Sequence, residues 1–305
     1  MDLRRLRYFI AIAESGSLTE AARRLHIVQP ALSQRLAGLE ADLGVQLLVR
    51  GNKGVTLTPA GVELYGRALI IVKHLDAARL AVKEKAGEAE GAVTIGVLRS
   101  MAPVLGKRLF LTLKERLPRV TPVLRTGYSA VLHRMLMEGR LDIAMQVVMH
   151  DTAGVEILYS EHLYAAGVPA LLGNENAPID LAQLRNMPIL LAGRQSTHTL
   201  LVQAAKREGV HLNVVGDIED SPSLLEICDT GTAVTFLAEK VARKAASERG
   251  LTIRRLDHPS LVRHVAIQIN PDIPLTATIT AVKNIVAEIL TQPMPESGNQ
   301  DEMLA

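Results

Sequence analysis

Three regimes of apolar spacing divide this chain. Between Ser17 and Glu40 apolar positions recur twice at helical intervals: Leu18, Ala21, Ala22 and Leu25 form one stripe, and Leu32, Leu36, Leu39 and Leu43 another. His26-Ile27-Val28 lies between them, too short and too poor in helix formers to be more than a connector. Ser17 is placed to cap the first helix, and Glu20, at the third helical position, completes a Ser-x-x-Glu capping box. Pro30 suits the first turn of the second helix, where its missing N–H has no partner to lose. At about 100° per residue the leucine face turns inward. Pro30, Ser33, Gln34 and Ala37 then face outward, with Arg35 on the flank. The pair reads as a helix-turn-helix, although by itself it also fits a two-helix corner of an all-α domain.

From Pro59 to about Gly87 the pattern becomes a heptad seam, in which Leu64, Ala68, Ile71, Leu75, Ala78 and Val82 follow at intervals of four and three. Such a seam asks for a partner helix, and a second copy of the chain fits better than the helix's own domain. Gly87-Glu88-Ala89-Glu90-Gly91 closes it as a flexible acidic boundary. Strands and helices alternate thereafter. Strands over 92–98, 120–125 and 141–148 with helices over 102–117 and 130–138 make a βαβαβ unit with a parallel sheet. A second set has strands over 163–168, 189–192, 214–218 and 233–237 and helices over 199–208, 222–230 and 238–247; a strand over 265–269 and a helix over 276–290 follow. Two similar α/β lobes are implied. The tail, Gln292 to Ala305, is rich in Pro, Glu, Gly and Gln and reads as disordered or loosely attached.

Composition narrows the function. A length of 305 residues suits two or three domains, 48% apolar residues are ample for their cores, and no apolar run reaches the length of a bilayer span. The start, MDLRRLRYF, lacks the features of a secretory signal, and the single Cys228 cannot form an intrachain disulfide, so a soluble protein of the reducing cytoplasm is expected. Cys228, next to Ile227, reads as a small buried hydrophobe rather than a redox sensor. The net charge of +2 hides an asymmetry: residues 1–87 carry 13 Lys and Arg against 8 Asp and Glu, and the remainder 21 against 24. The basic end is therefore the helix-turn-helix end. Its surplus is modest, so phosphate contacts would give salt-sensitive nonspecific affinity while base contacts and dimerisation give specificity. No Gly-x-Ser-x-Gly elbow, phosphate loop, His-Glu-x-x-His or zinc-spaced Cys/His set is present. No enzyme activity, metal or cofactor is expected, and Asp142 in Gly139-Arg140-Leu141-Asp142 reads as ordering a turn.

The outward face carries chemistry suited to duplex DNA: a Gln bonds an adenine edge in two places, a Ser bonds a base or phosphate, and Arg23, Arg24 and Arg35 neutralise phosphates. Its flanks carry a resemblance. Leu6-Arg7-Tyr8-Phe9, Glu14-Ser15-Gly16-Ser17-Leu18, Ala21-Ala22, Gln29-Pro30-Ala31-Leu32-Ser33, Leu39-Glu40, Leu43-Gly44 and Leu57-Thr58-Pro59-Ala60-Gly61 together resemble the LysR-type transcriptional regulators over about sixty residues. Leu48 stands where the family usually has Phe, and Gln34 where an Arg is frequent. The second departure alters a base contact, so an operator sequence does not transfer from a relative. The resemblance implies a winged helix-turn-helix over 1–58, its wing over Leu47 to Thr58, a dimerising linker helix over 59–88, and a two-lobed α/β effector-binding domain similar to type 2 periplasmic binding proteins. Lobe I would comprise 92–162 plus 268–291, lobe II 163–267, and the tail 292–305. Gln29, Pro30, Ser33 and Gln34 become the base-contact candidates; Ser17, Arg23, Arg24, Arg35, Arg50 and Lys53 are the phosphate or wing candidates. Around Lys53, Gly51, Asn52 and Gly54 also describe an ordinary hairpin tip, so groove contact and plain solvation both remain open.

A two-lobed α/β module binds ligands where strand ends meet helix N-termini. Ser100, then Tyr128 and Ser129, then Gln195, Ser196 and Thr197 occupy such turns, with Arg99 or Arg194 near enough in sequence to add a salt bridge. That pattern favours a carboxylate or other anionic effector, although Ser and Thr at these points also serve as plain helix caps. The resemblance singles out Ser100, Ser196 and Thr197, whereas Tyr128, unusual for its bulk, either narrows the cleft, stacks on a ring, or faces solvent and does neither. The partners expected are double-stranded DNA with two-fold related half-sites, a small anionic effector, further copies of the chain as dimer or tetramer, and RNA polymerase, with no membrane. The competing reading is a small-molecule binding protein or enzyme whose N-terminal helices only oligomerise it.

Overall fold

Asp2 accepts the backbone N–H of Arg5 and starts α1 (Leu3–Ser15), which ends at Gly16 in the left-handed conformation. The computed structural model describes residues 1–51, 54–83, 89–148, 155–173, 177–193 and 196–292, apart from the side chains of 80–83 and 196. Ser17 Oγ accepts Glu20 N at 3.4 Å and caps α2 (Leu18–Arg24). The expected capping box is only half made. The Glu20 carboxylate turns to Arg23 and Arg24, because two charged guanidinium donors bind it more strongly than one backbone N–H. His26, at φ 53°, makes the turn into α3 (Gln29–Leu43), whose Leu32, Leu36 and Leu39 are buried with Phe9, Ile12 and Ala21. Leu43, expected on that core face, is 38% exposed; it lies in the final turn, where Gly44 ends the helix.

The wing is the antiparallel hairpin of β1 (Leu48–Gly51) and β2 (Gly54–Leu57), with Gly51 opposite Gly54. Asn52 and Lys53 lie outside the described residues. Next comes α4 (Pro59–Lys83), starting so close to the hairpin that a Cβ on Gly61 would lie 2.0 Å from the Leu47 carbonyl oxygen. The heptad positions divide. Leu64 packs on the N-terminal core and Ala68 is buried within its own chain, whereas Ile71 is 43% exposed and Ala78 is exposed; the side chain of Val82 is not among those described.

There follow β3 (Gly91–Leu98), α5 (Ala102–Arg116), β4 (Val120–Gly127), α6 (Ser129–Met137), β5 (Ile143–Val148), β6 (Ile157–Gly167), α7 (Pro169–Leu172), β7 (Ile189–Leu191), α8 (Ser196–Arg207), β8 (Val214–Asp217), α9 (Ser221–Asp229), β9 (Thr235–Ala238), α10 (Glu239–Arg249), β10 (Thr252–Arg255), β11 (Val262–Ile269) and α11 (Ala277–Thr291). As the βαβαβ pattern requires, β4, β3 and β5 lie side by side and parallel. The lobes are joined by shared strands rather than separated. Along β6, Ile157–His162 pair with β11, while Leu163–Gly167 pair with β9 and β10. One curled seven-stranded sheet results, ordered β10-β6-β11-β5-β3-β4 with β9 also on β6. The expected lobe boundaries at 162/163 and 267/268 therefore fall inside β6 and β11, and His264–Ile269 already ladder onto β5. The expected boundary residues Gly87 and Glu88 and the tail beyond Gln292 lie outside the described residues.

Lys73 on α4 ties the N-terminal part to this sheet. Its Nζ donates to Asp142 Oδ1 at 2.6 Å, and Asp142 Oδ2 accepts Thr94 N at 2.7 Å, so Asp142 does more than order its turn. Among the described residues no helix is long and apolar enough to cross a membrane.

Candidate DNA-reading face and effector cleft

With its leucines buried, α3 presents Pro30, Gln34 and Ala37 to solvent and Gln29 and Ser33 half-exposed, so the four base-contact candidates share one strip. The wing reaches this strip. Arg50 Nη2 donates to Ser33 Oγ at 2.9 Å, which places a candidate phosphate contact against a candidate base contact. Ser17 is engaged as the α2 cap. The Arg35 guanidinium lies over the Tyr8 ring, 5.7 Å from its centre, a cation–π contact on the flank of the strip.

The remaining phosphate candidates are not unpaired. Arg23 Nε and Nη2 both donate to Glu20, and Arg24 Nε donates to it at 2.9 Å. The hydrogen bonds from Arg23 and then Arg24 hold the Glu20 carboxyl down to about 2. Because that carboxyl is depressed below its ordinary 4.5, the clamp is fully formed above pH 4.5 and is lost only as the pH falls through 2. At neutral pH two candidate phosphate contacts thus share one negative charge. Glu20→Gln should tighten binding to random duplexes and steepen the log–log salt slope by about 1, as one more net positive charge meets phosphate. A salt titration of affinity checks this.

At the other end, Arg99 and Tyr128, from two first-lobe turns, meet Glu219 of the second lobe at one point. Arg99 Nη1 donates to Glu219 Oε1 at 3.2 Å, the Tyr128 hydroxyl donates to the same oxygen at 2.6 Å, and the guanidinium lies 5.3 Å from the centre of the Tyr128 ring. Arg99 and Tyr128 belong to the first lobe and Glu219, between β8 and α9, to the second. Burial, followed by the neighbouring Glu219, raises the Tyr128 phenol above the usual range.

The serines differ in availability. Ser100 precedes α5 without capping it: the N-cap is Met101, and the Ser100 hydroxyl bonds to no described residue. Ser129 is already satisfied. With the Gln146 amide oriented to suit its neighbours, Gln146 Nε2 donates to Ser129 Oγ at 2.8 Å, Val147 N donates to it at 3.0 Å, and the hydroxyl donates to Val147 O. Ser129 therefore fixes α6 to β5 and has little left for a ligand. Thr197 is buried beside Phe236 and Leu201. Gln195 and Arg194 lie outside the described residues, as does the side chain of Ser196. Glu219 was not among the sequence candidates, since nothing in a lone Glu before a helix cap marks it as facing the other lobe. Cys228 is fully buried and its thiol is pushed up to about 12 by that burial, as suits an inert hydrophobe.

Residues 3–62 match the family model for the bacterial regulatory helix-turn-helix protein, lysR family, and residues 86–291 match that of the LysR substrate binding domain. The chain is 32% identical over 301 residues to the nitrogen assimilation regulatory protein nac of Klebsiella aerogenes, covering 97% of this chain and 98% of the relative. It is 31% identical over 300 residues to the nac protein of Escherichia coli K12, covering 97% of each. Among solved structures, a full-length OxyR variant from Pseudomonas aeruginosa superimposes with a TM-score of 0.76 at 22% identity, over 95% of this chain and 97% of that one. CbnR in complex with its target DNA gives 0.66 at 23% identity, over 95% and 100%.

Proposed function

This chain belongs to the LysR family of bacterial transcriptional regulators, and from that premise we propose that it reads a two-fold related operator with the exposed face of α3 and answers to a carboxylate bound between its lobes. The observation that carries the DNA half is the single strip of Gln29, Pro30, Ser33 and Gln34, with Arg50 laid against it. Self-association through α4 supplies the second strip. Ile71 and Ala78 of the seam remain exposed within one chain. Two copies packed along these positions present two reading helices, which is the arrangement a two-fold site needs. An electrophoretic shift on DNA upstream of the protein's own gene, against scrambled competitor, tests this reading; failure to prefer any natural sequence over the competitor would remove it.

The effector half rests on Glu219. The cleft already holds a carboxylate of its own against Arg99 and Tyr128, so a ligand carboxylate that displaces Glu219 inherits two donors and a stacked ring. Losing that bridge frees one lobe from the other and shifts the population of closed chains, which alters how the paired reading helices meet the promoter and RNA polymerase. All three side chains are partly exposed, so the bridge itself contributes little to stability. Thermal melting against a panel of mono- and dicarboxylates should therefore show any stabilising acid binding a few-fold more tightly to Glu219→Gln and losing its effect in Arg99→Gln. An acid that stabilises Arg99→Gln as well as the wild type binds elsewhere.

A further inference from the structure

Val28 is the most exposed large apolar side chain of the N-terminal unit, at 69%. It occupies the N-cap of α3 at φ −76° and ψ 139°, and its side chain makes no cap bond, whereas Asp2 and Ser17 cap α1 and α2 through oxygen. A Ser, Thr, Asp or Asn at that position holds an orphan backbone N–H and stabilises the helix. Valine forgoes this and leaves two methyl groups in water. A solitary exposed valine elsewhere would need no explanation. This one adjoins Gln29 and Pro30 at the N-terminal end of a reading helix, the end from which such helices reach base edges. In the major groove only thymine offers a methyl group, and an apolar side chain is the complement of that group.

We propose that Val28 is a specificity-determining residue that reads a thymine in each half-site through its 5-methyl group. The proposal rests on α3 being the reading helix. On binding, the valine methyls and the thymine methyl leave water together, so the stability lost at the missing cap is offset only on a correct sequence. A hydroxyl at the same position would be held by the helix backbone and would not distinguish thymine from uracil.

Removing single methyl groups from the DNA tests this without disturbing any hydrogen bond. Duplexes would be selected from a random pool by the full chain, and each thymine of the selected half-site would be replaced in turn by deoxyuridine. One replacement per half-site should weaken the wild type about fourfold for each methyl lost, from the transfer of about one buried carbon. Val28→Ser should bind the thymine and deoxyuridine duplexes equally at that position, while melting no lower than the wild type because Ser restores the cap. Four outcomes are distinct. Loss of the deoxyuridine penalty in Val28→Ser supports the proposal. An undiminished penalty in that variant assigns the methyl to another side chain and overturns it. A selected half-site whose deoxyuridine forms all bind as well as thymine also overturns it. Failure to select any sequence instead removes the DNA-reading function on which it stands.

Discussion

Arg263→Ala should lower the stability of the regulatory part by about 3–5 kcal/mol, because it strands a buried carboxylate. Arg263 and Glu161 stand directly opposite each other on β11 and β6, with side chains only 2% and 3% exposed. Arg263 Nε donates to Glu161 Oε1 at 2.7 Å, and Nη2 approaches Met101 Sδ at 3.1 Å, beneath the Ser100 turn. The other carboxylate oxygen accepts Lys240 N at 3.3 Å, and the Tyr159 hydroxyl donates to Oε1 at 3.4 Å. Removing the guanidinium leaves these weak donors to hold a full charge in a site closed to solvent. In a domain of this size the loss corresponds to roughly 6–20 °C in melting temperature. The double variant Arg263→Met with Glu161→Leu should recover most of it, since replacing both charges by apolar groups of similar volume removes the desolvation penalty along with the attraction. Thermal and urea unfolding of the full chain measure both. A single variant that melts within about 2–3 °C of the wild type, in the range of about 1 kcal/mol, would show that the buried carboxylate does not depend on Arg263.

The second large effect belongs to the reading face. Gln29→Ala and Ser33→Ala should each weaken operator binding by about 1–3 kcal/mol, with little change on random DNA, because a base contact discriminates and a phosphate contact does not. Ser33 has a further consequence. Its hydroxyl holds Arg50 at 2.9 Å, so Ser33→Ala also releases the wing arginine, and any change in salt slope, with the small change on random DNA that accompanies it, should appear in that variant but not in Gln29→Ala. Lys53→Ala should lower affinity for both DNAs alike. Anisotropy titrations at two salt concentrations separate these outcomes, and equal losses on both DNAs for all three variants would mean that the face is wrongly placed.

The starts and core stripes of α2 and α3 were legible in the sequence because each depends on residues close together in the chain, whereas α1, with its Asp2 cap, was not anticipated. Ser17, Pro30 and the leucine spacing specify the two helices whatever surrounds them, and only the last leucine, Leu43, misleads at a helix end. The strand at the junction of the lobes was half hidden for the opposite reason. The expected strand began at Leu163, just past the polar pair Glu161 and His162, whereas β6 begins at Ile157. Arg263 and His264 likewise delayed the expected start of β11 to Val265. Two charged residues that bury each other look exposed until both are seen. The same holds for β10, which the alternation omitted: Arg254 is 9% exposed there because its donors reach the carbonyls of Leu172, Ala177 and Pro178. Among the effector candidates, sequence position found the turns but not the availability of their hydroxyls. Ser129 is consumed by Gln146 and Val147, and Glu219 enters from a lobe far along the chain.

If one exposed strip on α3 chooses the DNA sequence, a change within that strip must change the sequence chosen. Selection of bound duplexes from a random pool, run in parallel with the full-length wild type and with Gln29→Ala, addresses this most directly. The wild type should return two inverted half-sites whose centres are separated by whole turns of the duplex, and Gln29→Ala should return the same spacing with base preference relaxed at one position in each half-site. Identical half-sites from both proteins, or no enriched sequence from either, would contradict it.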